Sequence, residues 1–158
     1  MIEFKEAKKE EANEIAKTSA EVLKDLIHQE RGDYFGGVCA NDVIRCTQAE
    51  STAFVAVDEN EIVGFLLCLK MEKSYCIYGY GVKPQYQCKG IGKGLMQKAK
   101  EYAIQNGVYT LTGTVYPENV ASIKVLQSVS RKYSEGEEFV RHTKTGRTLR
   151  RKPFEIQL

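Results

Sequence analysis

Tryptophan is absent from this 158-residue chain, and proline (three), methionine (three) and histidine (two) are scarce. Two histidines leave a zinc site few nitrogen ligands, and the five cysteines, Cys39, Cys46, Cys68, Cys76 and Cys88, include no C-x-x-C pair; no metal is expected. An odd set of unpaired thiols argues against a disulfide framework and for a reducing compartment. Cys68 and Cys76 lie in apolar stretches and are expected to behave as small buried hydrophobes. Long apolar runs are also missing. The longest, Ile62 to Leu69, has eight residues counting Gly64, against the ~20 that a spanning helix needs. The opening Met-Ile-Glu-Phe-Lys-Glu has neither a basic nor an apolar secretory region. Cytoplasmic localisation, with no membrane partner, is the expectation. A net charge of +2 argues neither for nor against an anionic partner.

What is present is ordinary for a globular α/β chain: 42% apolar and 28% charged residues. The length predicts one domain spanning 1–158. Ile2 to Ala7 reads as a strand. From Lys8 to about Arg31, apolar and small residues at Ala12, Ile15, Ala16, Ser19, Val22, Leu23, Leu26 and Ile27 form the stripe of an amphipathic helix. Gly32 is its expected stop, and Asp33 to Val38 a glycine-bearing loop. Ala40 to Ala49 reads as a shorter helix. Ala53–Val57, Ile62–Lys70 and Tyr75–Val82, separated by polar turns, predict an antiparallel meander. Then come a helix over Gly92–Gln105 with an Asn106-Gly107 stop, a strand over Val108–Val115, and a helix over Asn119–Val129 with Asn119 as N-cap. Lys132–His142, a Thr143–Gly146 turn and Arg147–Gln157 predict a final hairpin.

One stretch carries chemistry: Tyr75 to Lys98, YCIYGYGVKPQYQCKGIGKGLMQK. A strand ends at Pro84, and Gly90 and Gly92 stand where the next helix opens. The first N–H groups of a helix lack intrahelical partners and carry the positive end of its dipole. Glycines let a ligand approach them, so Gln87-Cys88-Lys89-Gly90-Ile91-Gly92-Lys93 makes a cradle suited to phosphate or pyrophosphate. A Walker A loop is out of register, with no Ser/Thr for magnesium, and a dinucleotide fingerprint would put its third glycine where Leu95 stands.

These residues resemble the GNAT superfamily of acyl-CoA-dependent N-acyltransferases. Gln87, Gly90 and Gly92 match its Q/R-x-x-G-x-G/A loop, Val82, Pro84 and Gln87 a wider Val-x-Pro-x-x-Gln pattern, and Asn119 with Ser122 a second helix opening. The element order matches along nearly the whole chain. The resemblance implies a single-domain, mixed, mostly antiparallel sheet with flanking helices, in which Tyr75–Val82 and Val108–Val115 form a splayed parallel pair. Acetyl-CoA would lie in that V as co-substrate. The backbone of Tyr80, Gly81 and Val82 would pair with the pantetheine arm, Gln87 and the amides of Cys88, Lys89, Gly90, Ile91, Gly92 and Lys93 would hold the pyrophosphate, and Asn119 would meet the pantetheine from the other side.

The reaction implied is direct acetyl transfer to an amine in a ternary complex, the acceptor being a small molecule or a protein. It asks for a neutral amine, an N–H donor for the oxyanion and an acid for the thiolate. The family's tyrosine position, seven residues after Asn119, holds Leu126, and neither implied strand of the V carries Asp or Glu. Tyr80, Tyr116 and Tyr133 are substitute candidates for the acid, and Glu118 or His142 for a proton relay, though a core or surface tyrosine, a solvated glutamate and a hairpin histidine are the favoured readings. Residues 131–158 carry +4 and residues 1–130 carry −2. That basic hairpin fits an acidic acceptor, a coenzyme phosphate, nucleic acid, or a solvated edge that blocks strand aggregation. Besides the enzyme, two readings therefore stand: a non-catalytic acyl-CoA-binding or regulatory module, and a nucleic-acid-binding protein acting through the hairpin. A homodimer is compatible with all three.

Overall fold

The structure, a computed structural model, describes residues 1–28, 38–142 and 148–158. Gly32, most of the expected Asp33–Val38 loop and the Thr143–Gly146 turn lie outside them. β1 (Ile2–Glu6) leads through a 3-10 turn (Lys9–Glu11) into α1 (Ala12–His28), then α2 (Ala40–Cys46). The Asp42 carboxylate accepts the Cys39 N–H at 3.0 Å and so fixes the first turn of α2. β2 (Thr52–Asp58), β3 (Glu61–Lys70) and β4 (Tyr75–Val82) follow, then α3 (Ile91–Gln105), β5 (Thr110–Val115) and α4 (Val120–Val129). The chain closes with β6 (Lys132–Glu135), β7 (Phe139–His142) and β8 (Thr148–Gln157).

Eight strands form one sheet in the order β1-β2-β3-β4-β5-β8-β6, with β7 also on β8. All ladders are antiparallel except β4–β5. This is the α/β architecture that the element order predicted. Helices cover both faces. Ile15, Val43, Val55, Ile62, Phe65 and Leu67 pack together on the α1/α2 side, and Phe54, Val63, Leu66, Leu95, Met96, Leu111 and Leu126 on the other. β3 therefore reads as a continuous apolar run, since both of its faces are buried. Val63 is an extra residue on β3, because Ala56 faces Gly64 while Val57 faces Ile62.

Three expectations change. The first arm of the hairpin is two strands, broken at Gly136–Glu138, where Gly136 N–H donates to Pro153 O at 2.9 Å. Cys76 is half-buried and hydrogen-bonded with Thr112, whereas Cys46 and Cys68 are buried. The helix expected from Gly92 begins at Ile91, with Gly90 as its N-cap.

The β4–β5 junction positions everything that follows. The two strands pair only at Tyr75–Leu111 and Cys76–Thr112. Just beyond, β4 carries an unopposed residue, Tyr78, since Leu67 faces Gly79 while Cys68 faces Ile77. A bulge bends its strand, and from here β4 and β5 part. Gly79 and Gly81 let the α1/α2 layer sit directly on the bent strand: a Cβ on Gly81 would stand 2.8 Å from Val22 Cγ1, and one on Gly79 would overlap Val38.

Candidate active site

Two cavities occupy the gap between β4 and β5. The smaller, about 150 Å³, is lined by Tyr78, Thr114, Tyr116 and Arg151, and by Met96 and Leu126 from α3 and α4. The larger, about 420 Å³, extends along Tyr80, Gly81 and Val82 to Gln87, Cys88, Gly90, Ile91, Gly92 and Lys93. Tyr80, Asn119 and Ser122 belong to both linings, so the two spaces adjoin.

The edge of β4 toward β5 has no strand partner after Cys76 among the described residues, leaving backbone polar groups available to a ligand. Gln87 Nε2 donates to Val82 O at 3.1 Å and ties the end of β4 to the following loop. That loop curls through two left-handed residues, Cys88 (φ +61°) and Gly90 (φ +81°). A Cβ on Gly90 would meet nothing within 4 Å; the space in front of it is open. The first intrahelical bond of α3 is Gly94 N–H to Gly90 O at 3.0 Å, so the amides of Ile91, Gly92 and Lys93 are the unpartnered donors of the helix N-terminus. The loop is anchored by Tyr86, whose hydroxyl donates to Asp58 at 3.0 Å and holds that carboxyl below its usual range. Lys89 lies over the Tyr86 ring, 5.4 Å from its centroid, and does not line either cavity.

Gly92 serves a purpose other than the one its motif suggests. A Cβ there would overlap the Tyr80 hydroxyl, so this glycine makes room for a protein side chain. Burial pushes the Tyr80 phenol up to about 12. At neutral pH it remains a protonated donor, and its hydroxyl has no protein partner among the described residues. Asn119 caps α4, its Oδ1 accepting the Ser122 N–H at 3.2 Å.

An acetyltransferase (GNAT) family model matches residues 13–129. The chain belongs to the GNAT family. Its fold superposes on the GNAT acetyltransferase of Streptococcus pneumoniae with a TM-score of 0.76 at 13% identity, over all of both chains. An acetyltransferase from Salmonella typhimurium, solved with its cofactor acetyl-CoA, superposes at 0.76 and 17% identity over 100% of this chain and 94% of that one. The PaiA N-acetyltransferase of Thermoplasma acidophilum, in complex with coenzyme A, does so at 0.73 and 15%, over 100% and 99%. In sequence, 94 residues are 27% identical to the L-2,4-diaminobutyric acid acetyltransferase of Shouchella clausii, covering 58% of this chain. The match spans about half the length of that curated relative.

Within this GNAT fold, the catalytic candidates separate. Tyr80 and Tyr116 line the smaller cavity. Tyr133 lies outside both linings, stacked on Phe154 with its hydroxyl donating to Glu135 at 2.9 Å; burial raises its pKa, and the Glu135 bond adds to the rise. Glu118 is paired with Arg150 at 3.1 Å, and His142 is exposed on β7. Leu126 is buried at the site where the family's tyrosine would stand. Sequence reasoning missed Val22, Tyr78, Thr114 and Met96 as lining residues, and treated Arg151 as one cation among many. Alternation along Arg150-Arg151-Lys152 was the available signal for the last, because a strand sends successive side chains to opposite faces.

Proposed function

We propose that this GNAT chain transfers an acetyl group from acetyl-CoA to an amine acceptor, as one domain spanning residues 1–158. The carrying observation is the left-handed Gly90 loop and bare α3 N-terminus, in a cleft that adjoins a second cavity between β4 and β5. The residues fit the coenzyme. The unfilled space before Gly90 suits the pyrophosphate beside the amides of Cys88 to Lys93, and the unpaired edge at Tyr80, Gly81 and Val82 suits the amide-bearing pantetheine. Bound acetyl-CoA supplies an activated thioester.

The protein's own contribution is positional. Backbone N–H groups on the unpaired edge of β4 beyond Cys76 supply hydrogen-bond donors without reorganisation. Tyr80 stays protonated and donates. Asn119, already fixed as a cap through its Oδ1, keeps its amide N–H2 for the cleft. Met96, Leu126 and Phe154 exclude water from the floor of the gap. Tyr116 is the phenol on the acceptor side, held under the Arg151 guanidinium. Exposed thiols such as Cys39 and Cys88 suit a reducing cytoplasm. Leu126 in the acid's place favours one competing reading, a coenzyme binder without turnover.

Thermal unfolding with and without acetyl-CoA tests the coenzyme. At about 100 times Kd the ligand should add ~2.7 kcal/mol, and an unchanged transition would defeat the reading. Release of free thiol across a panel of amines, read against a protein blank for Cys39 and Cys88, then divides enzyme from binder.

A further inference from the structure

The lining of the smaller cavity is divided by chemistry. Ile77, Met96, Val115, Leu126 and Phe154 make its apolar part, and all belong to the packing on the α3/α4 face of the sheet. Met96, Val115, Leu126 and Phe154 are buried, which makes them the floor of the cavity. The polar lining includes Tyr78, Thr114 and Tyr116. Thr114 precedes Val115 on β5 and so points to the opposite face. Tyr78 meets α2: the Arg45 guanidinium lies 5.0 Å over its ring, and its hydroxyl is 3.5 Å from Asp42.

Direction along the cleft decides what reaches that floor. With the pyrophosphate at the Gly90 loop and the pantetheine running from Val82 to Tyr80, the thioester arrives at Tyr80, Asn119 and Ser122, which line both cavities. Whatever the sulfur carries is then the first part of the donor to enter the smaller cavity. An amine acceptor needs polar groups to orient it and finds them at Tyr78, Thr114 and Tyr116. An acyl chain beyond its carbonyl has only methylenes and a methyl to bury, and the floor matches them. A single acetyl methyl covers little of it, since about 150 Å³ is roughly the size of an apolar cavity that binds benzene. Resting on the acetyl-transfer reading, we propose that this floor is an acyl-chain pocket, that propionyl- and butyryl-CoA are donors alongside acetyl-CoA, and that Leu126 and Met96 set the chain length. The reaction step is the same for each donor. The amine nitrogen bonds to the carbonyl carbon, the C–S bond breaks with its electron pair on sulfur, the nitrogen loses one proton and the thiolate gains one.

Calorimetric titration with coenzyme A and its acetyl, propionyl, butyryl and hexanoyl thioesters reads the acyl contribution without an acceptor. Each buried methylene is worth about fourfold in Kd, so butyryl-CoA should bind wild type about 10–15-fold tighter than acetyl-CoA. An equal or weaker Kd for butyryl-CoA overturns the pocket. Two substitutions then locate the chain. Leu126→Phe fills the floor and should cut the preference for butyryl over acetyl by about 10-fold, within the range that one methylene's room commands in an apolar site. Leu126→Ala deepens the floor and should make hexanoyl-CoA the tightest ligand. Binding of coenzyme A itself reports that a variant is folded, and the wild-type series decides alone if neither folds. A chain-length profile within threefold of wild type in both folded variants overturns the proposal, because the acyl chain then lies elsewhere. Failure of all five compounds to bind wild type overturns the acetyl-transfer reading instead.

Discussion

Replacing Gly92 with alanine puts a methyl group where the Tyr80 hydroxyl now stands, and leaves it 3.3 Å from Tyr80 Cζ. The hydroxyl must move by about an ångström, on a half-buried ring between β4 and α3, which overpacks the junction by roughly 1–3 kcal/mol. For a chain of this size that is a fall in Tm of about 3–9 °C. Tyr80→Phe removes the clashing oxygen and keeps the ring. In that background only the 3.3 Å approach remains, tight by a few tenths of an ångström. Alanine's helix propensity then works in the other direction, worth up to about 1 kcal/mol over glycine. Gly92→Ala should therefore be clearly destabilising beside Tyr80 and near neutral, or mildly stabilising, in the Tyr80→Phe background. Urea unfolding of the four proteins gives the coupling energy directly, expected at about 1–2 kcal/mol. A coupling below ~0.5 kcal/mol would refute the claim that Gly92 is glycine on account of Tyr80.

Gly90→Val forces a β-branched residue to φ +81°, costing about 1–2 kcal/mol, and should abolish stabilisation by acetyl-CoA; a folded variant that retains the full shift removes the cradle from the proposal. Leu126→Tyr places a phenol at a buried cavity wall and should raise kcat if the missing acid limits turnover, at a packing cost of about 1–3 kcal/mol; an unchanged or lower kcat in a folded variant shows that no phenol is needed there. Glu135 is held below its usual range by Lys152 at 3.0 Å, with Tyr133 donating at 2.9 Å. A depressed carboxyl contributes stability that is present above its unfolded pKa, near about 4.3, and lost as pH falls through the folded value. Glu135→Gln should thus flatten the loss of urea midpoint between about pH 5 and pH 2.5, and an equally steep loss would contradict the assignment.

Local patterns were legible where one physical rule governed them. Tyr75–Val82 was bounded correctly by a polar turn and Pro84, and Asn119 was readable as a cap from its place before an apolar stripe. The parallel pairing of the strands over Tyr75–Val82 and Thr110–Val115 followed from the family resemblance and holds for two residue pairs. What escaped depends on partners distant in the chain. The extra residue at Tyr78 exists only relative to β3, and nothing in YCIYGYGV marks it. The break at Gly136 answers to Pro153, seventeen positions on, whose ring occupies the place of a Cβ at Gly136. Gly92 looked like a ligand glycine because its reason, Tyr80, sits twelve residues earlier and meets it only after folding. Arg151 was counted in a charge total, and totals carry no direction.

The short β4–β5 ladder also has a mechanical meaning. Among the described residues, two pairs, Tyr75–Leu111 and Cys76–Thr112, are all that stitch β1–β4 to β5, β8 and β6 within the sheet. That line is a seam, and a chain that opens locally opens first where fewest bonds must break together. Whatever lodges in the gap spans the seam from both banks, adding bonds across it that the sheet itself omits. Amide exchange at Leu111 and Thr112 would then slow more on coenzyme binding than exchange at the centre of β3, making these two strands a gauge of occupancy for the whole molecule.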